Sequence, residues 1–140
     1  MTILKKFVIS LAFLSLVACA QTSVQPLSQN TFKVATVAAP ACGAKGARDV
    51  AFRTAAIEVI KKGKDKFIVL ADQGGPGQTN LTYNPYAGFQ TYTDNRQDMV
   101  VKLLDPRDTE YSNGLSARQI LGPQWQEIVA EGAPNNCNLG

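Results

Sequence analysis

Histidine is absent from the 140 residues. Its absence removes the commonest general base at neutral pH, and with it the usual way in which a Ser or Cys is activated as a nucleophile. An excess of charge of one sign is missing too. Fourteen Lys and Arg face 11 Asp and Glu, and Lys5 and Lys6 belong to a leader, so the remainder of the chain is close to neutral. A near-neutral body offers nucleic acid no electrostatic footing, which excludes it as a partner. Long apolar runs are scarce as well: residues 7–17 form one that is too short to cross a bilayer as a stable helix.

That short run, preceded by Lys5 and Lys6, has the pattern of an export signal. It ends Leu16-Val17-Ala18-Cys19. A plain secretory peptide closes on small residues around a cleavage site. Small residues followed directly by Cys resemble the bacterial lipobox, whose Cys receives a diacylglyceryl thioether and becomes the mature N-terminus. The resemblance implies a signal peptide over 1–18, a covalent lipid on Cys19 with no other cofactor, and the membrane as a partner. Ala20 follows where retention in the inner membrane of enteric bacteria would favour Asp, so the implied location is the outer membrane, facing the periplasm.

Cys42 and Cys137 are the two remaining cysteines. In an exported chain thiols are normally oxidised, so an even pair predicts a Cys42–Cys137 disulfide tying the entrance of the first helix to the C-terminal tail. Two free buried thiols are the weaker alternative. A zinc site is disfavoured, because two distant thiolates have neither a His nor a third soft ligand to complete it.

Residues 19–140 suffice for a single compact core. Residues 19–30 are polar, uncharged and poor in large apolar groups, and are expected as a flexible tether, leaving one α+β domain over 31–140. Residues 31–37 alternate in strand fashion, and Pro40 ends them. From 44 to 62, Phe52, Ala55, Ala56, Val59 and Ile60 recur at helical spacing, and Gly63 can supply a left-handed cap. Residues 66–71 read as a strand buried on both faces. Residues 73–97, rich in Gly, Asn, Thr and Tyr, read as a mobile loop or irregular ribbon with a short edge strand near 89–93. Residues 99–104 form another strand, stopped by Pro106. Ser116 can cap a helix through Leu121, and Gly122-Pro123 restarts one that groups Trp125 with Ile128 and Val129. The order is β-α-β-β-α, expected as a small mixed or antiparallel sheet with helices packed on one face.

Few residues suggest chemistry. The serines of the body lie in the tether or at turns and caps, without a catalytic motif. Gly74-Gly75-Pro76-Gly77 superficially suggests a phosphate loop, but no Gly-Lys-Ser/Thr ending or helix follows, and a turn is the simpler reading. Asp105, Asp108 and Glu110 are better explained as a solvated turn than as a calcium site, since the spacing of an EF-hand is missing. Lys61, Lys62, Lys64 and Lys66 form the one basic cluster, interrupted by Asp65 and partly explained by the helix end, where cations are favoured. Tyr83, Tyr86, Phe89 and Tyr92 can serve either as a contact surface or as core. Trp125 reads as core.

Taken together, Phe32-Lys33-Val34, Cys42-Gly43, Ala51-Phe52-Arg53-Thr54-Ala55-Ala56-Ile57-Glu58-Val59-Ile60-Lys61-Lys62-Gly63, Phe67-Ile68-Val69, Met99-Val100-Val101-Lys102-Leu103-Leu104, the stretch 115–126 and the late Cys137 resemble an uncharacterised family of small proteobacterial lipoproteins. The resemblance implies an exported α+β lipoprotein with a Cys pair and a central loop of variable length, and no activity. The expected role is a non-enzymatic interaction or structural module of the cell envelope, with an envelope protein as partner. The alternative is a small periplasmic protein binding an anionic glycan or lipid at the Lys61 to Lys66 cluster. A hydrolase is a distant third.

Overall fold

The structure is a computed structural model that describes residues 19–139; the expected signal peptide lies outside the described residues. In chain order its elements are β1 (Ala20–Pro26), β2 (Thr31–Ala38), α1 (Gly43–Lys61), β3 (Lys66–Asn84), β4 (Gly88–Leu103), β5 (Leu115–Ser116), α2 (Ala117–Leu121) and α3 (Trp125–Glu131). Five strands make one antiparallel sheet ordered β1-β2-β4-β3-β5, so the fold is α+β. The element order is richer than β-α-β-β-α, because a strand precedes β2 and a two-residue strand precedes α2.

The core forms where α1 covers one face of the sheet. Ala47, Ala51 and Ala55 follow at intervals of four, and with Val50, Ala56, Ile57 and Val59 they are fully buried. Alanines at this spacing share a face and let the helix approach the sheet closely. Opposite them stand Phe32 and Val34 of β2, Phe67 of β3, and Met99, Val101 and Leu103 of β4. Burying one such Val or Phe side chain contributes about 1.5–3 kcal/mol, which makes this alternation the main reason the strands choose their register. Phe52 and Ile60, expected in the helix stripe with Ala55, Ala56 and Val59, lie at its half-buried margin. The helix closes as anticipated: Gly63 takes φ +77°, and its N–H donates to the Ile60 carbonyl at 2.9 Å.

Residues 20–30 are not a tether. Seven of them form β1, paired with β2 from Ala20↔Ala38 to Pro26↔Phe32. A polar strand needs little burial of its own when a formed neighbour offers a row of backbone partners, and Val24 still packs against the core. The C-terminal tail encloses the start of β1: the Ala20 N–H donates to the Asn135 carbonyl at 2.9 Å, and Cys19 bridges Asn136.

Three other expectations change. Residues 73–97 are not a mobile loop: apart from a turn at 85–87 they form the outer parts of β3 and β4, far more strand than the short one expected near 89–93, and the two pair from Phe67↔Leu103 to Asn84↔Gly88. Residues 66–71 are not buried on both faces. α1 covers only one, and a register shift between Val69 and Ala71 turns Leu70 out to solvent. Trp125 is half-buried beneath the Arg118 guanidinium, 4.8 Å from the ring centroid, rather than in the core. The cap at Ser116 is as expected, its Oγ accepting from the Gln119 N–H at 3.3 Å.

Candidate functional site: an aromatic hairpin beside Cys19

The row Ala20, Ala38, Asn95, Pro76 is the last one in which β1, β2, β4 and β3 all take part. Beyond it β3 and β4 continue alone as a two-stranded hairpin. At a strand rise of about 3.3 Å per residue the hairpin projects roughly 25 Å past that row. Its turn is set by local chemistry: Asn84 Oδ1 accepts from the Tyr86 N–H at 2.8 Å, and Gly88 takes φ +77°. Along the shaft the Thr79 and Thr93 hydroxyls meet at 3.0 Å, and Asn80 Nδ2 donates to Asp94 at 3.1 Å.

Two glycines let the strands lie close at the root. A Cβ on Gly74 would come 2.5 Å from Gln97 Oε1, and one on Gly77 would come 3.1 Å from the Asp94 carbonyl oxygen. Glycine at these positions leaves room for the Gln97 side chain and the Asp94 backbone across the hairpin.

The hairpin carries the aromatic residues singled out in the sequence, and the structure exposes them. Tyr86 is 100% exposed, Phe89 73%, Tyr83 63% and Tyr92 44%, with Leu81 at 67%. The reading of these residues as core is therefore overturned. Tyr83 and Phe89 are cross-strand partners whose rings stack in a tilted arrangement, centroids 5.2 Å apart. Leu81 shares their face by register, Tyr86 crowns the turn, and Tyr92 lies on the other face. No charged residue occurs from 73 to 93.

Cys19 sits at the hairpin's root. Its carbonyl accepts the Ala39 N–H at 2.9 Å, its side chain is exposed, and it shares a shallow cavity with Val37, Tyr92 and Asp94. Cys42 and Cys137 are joined, with S–S 2.15 Å and Cα–Cα 5.7 Å, under the start of α1 beside Ala20, Ala38 and Val50.

The lysines do not gather into one site. Lys61 pairs with Glu58 at 3.5 Å, Lys64 with Asp105, and Lys66 donates to the Gly114 carbonyl at 3.2 Å, while Lys62 lies 5.7 Å from the Phe32 ring centroid. The Asp105 to Glu110 acids also turn apart: Asp105 to Lys64, Asp108 to the Asp105 N–H at 2.8 Å, and Glu110 to Lys102 at 3.4 Å. Among the described residues no three His, Cys, Asp or Glu side chains converge as metal ligands, and no helix is long and apolar enough to cross a membrane.

Sequence reasoning found the aromatic residues but not the hairpin that presents them, nor the position of Cys19 at its root. The absence of charge from 73 to 93 was the available signal. Comparison of the chain with protein-family models, with curated proteins and with solved structures found no match.

Proposed function

We propose that this chain is a bacterial cell-envelope lipoprotein: a non-catalytic interaction or structural module held by a lipid on Cys19 at the outer membrane, facing the periplasm. One observation supports the reading above others. Cys19 ends the lipobox-like Leu16-Val17-Ala18-Cys19, and its exposed side chain stands immediately outside a fold that begins at Ala20, which is 4% exposed. A thioether there would leave the packing untouched. The Cys42–Cys137 disulfide fits an oxidising compartment. The alternative, an anionic glycan or lipid held by Lys61, Lys62, Lys64 and Lys66, draws less support, since each lysine has its own neighbour.

Labelled palmitate tests the anchor. It should enter the wild-type chain and not Cys19→Ser; label in that variant, or an unmodified Cys19 in the mature protein, would end the reading. Crosslinking from membranes followed by pull-down then tests the module: a specific envelope protein is the expected catch, whereas glycan or lipid alone would favour the alternative.

A further inference from the structure

We infer that the hairpin tip, Tyr83, Tyr86 and Phe89, is a second membrane contact that seats in the interfacial layer of the bilayer to which Cys19 is attached. The inference rests on the lipoprotein reading and adds to it the surface that meets lipid.

Three observations carry it. First, there is no spacer. β1 starts at Ala20, and the Cys19 backbone is pinned between Ala39 and Asn136, so an anchor on Cys19 holds the body within about one residue's length of the headgroups. Second, the hairpin leaves the sheet at the end where Cys19 lies: Cys19 is level with Ala39, one step beyond the Ala20, Ala38, Asn95 row, and lines a cavity with Tyr92. The tip therefore lies beyond the anchor on the anchor's own side. Third, the composition suits that depth. Tyr and Phe favour the layer between headgroup and acyl chain, and a segment free of charge from 73 to 93 loses no ionic solvation on entering it. Gln, Asn and Thr along the shaft can hydrogen-bond to headgroups and water.

Backbone chemistry limits how deep it goes. The outer hairpin has two strands, so both edges carry unpaired N–H and C=O groups that hydrocarbon cannot satisfy. A hairpin reaching roughly 25 Å past the anchor must then lie tilted in the interface rather than stand upright in the acyl core. A protein partner at the same tip is the competing occupant, but nothing about it would require the tip to share an end with Cys19.

The test uses the full mature lipoprotein in phosphatidylethanolamine and phosphatidylglycerol vesicles doped with brominated lipid. Trp125 is the only tryptophan, and Arg118, which covers it, bonds through its N–H to Asp65 just before β3, at the far end from the tip. In the wild type, Trp125 should be unquenched. In Tyr86→Trp with Trp125→Phe, emission should shift to the blue and lose intensity to brominated lipid. Tyr86 is fully exposed, so the substitution leaves the core alone, and retention of the Cys42–Cys137 bond checks the fold. A double variant that floats with the vesicles while the indole at the tip stays unquenched overturns the hairpin contact and spares the anchor. A wild type that fails to float removes the anchor, and the inference falls with it. A photo-crosslinker at position 86 that yields protein adducts in cells, and no lipid adducts, would also overturn it.

Discussion

Arg48 on α1 reaches Asp72 on β3 with two hydrogen bonds to one carboxylate oxygen, from Nε at 2.9 Å and Nη2 at 2.8 Å. The other oxygen of Asp72 accepts from Nε2 of the buried Gln97 on β4. One carboxylate thus joins the helix to both strands at the point where the hairpin prepares to leave the sheet. The guanidinium also lies 4.8 Å from the Phe52 ring centroid, which adds a packing role to the charge.

Because Arg48 is about half exposed, the ion pair is screened, and Arg48→Ala should cost only about 1 kcal/mol, or a melting shift of roughly 4 °C for a domain of this size. Its local effect should be larger than its global one. Amide exchange at the root of the hairpin, near 72–75 and 96–98, should accelerate while that of the α1 core does not. Uniform acceleration would show that the pair stabilises the whole fold and not the root in particular.

The Cys42–Cys137 bond closes a loop across a sequence separation of 95, for which chain-entropy models give about 4–5 kcal/mol. Reduction should lower the thermal midpoint by roughly 15–20 °C, and non-reducing digestion should release one linked peptide pair. Gly46 sits against the bond: an added Cβ would lie 3.0 Å from Cys42 Cβ and 3.3 Å from Cys137 Cβ. Gly46→Val should therefore cost about 1–3 kcal/mol as an overpacking change. A neutral result at 46 would mean that the C-terminal tail yields easily.

Thr54 is fully buried on α1, and its hydroxyl has no hydrogen-bond partner among the described residues. Thr54→Val replaces that hydroxyl with a methyl of similar shape and should stabilise the fold by about 1 kcal/mol. Chemical denaturation would read this as a higher midpoint at unchanged slope. A lower midpoint would reveal a polar contact made by the hydroxyl in solution.

Lys64 donates to Asp105, and that bond, followed by the ammonium's charge, holds the Asp105 carboxyl below the usual carboxylate range. An acid depressed in the folded state contributes stability above its ordinary value and loses it as pH falls through the lowered one. Lys64→Met should therefore be less stable than wild type at neutral pH, by a small margin because the pair is exposed, and the two denaturation midpoints should converge in acid. High salt should shrink the neutral-pH gap, whereas a gap insensitive to both pH and salt would assign it to lost packing of the Lys64 stem.

Much of the fold was legible where burial is one-sided and regular. Phe32, Val34, Met99 and Val101 alternate because α1 covers one face of their strands, and α1 announces its end with Lys61 and Gly63. The Cys pair followed from the even count left once Cys19 is set aside, together with the expected export. β1 was hidden because its order comes from the edge that β2 offers and hardly from its own side chains. The outer hairpin was hidden for a related reason: it is exposed on both faces, and the register shift between Pro76 and Thr79 breaks what period it has, so no alternation marks it as strand. Leu70 misled in the opposite sense, since an apolar residue on a bulge extends a run that looks buried.

The closure of the C-terminal tail over Ala20 implies an order of events. If Cys19 is lipidated and cleaved as proposed, the enzymes that do so would have to grip an extended segment around it, yet in the folded chain Ala20 is buried and Cys19 is bridged to Asn136, next to the disulfide-bonded Cys137. Maturation and folding would then compete for the same backbone. On the proposed reading lipidation would come first, with β1 still unpaired and the Cys42–Cys137 bond not yet closed. Pulse-labelled precursor should accordingly carry alkylatable Cys42 and Cys137 thiols that disappear only after the leader is removed. A chain that oxidises too early would be stranded in its precursor form.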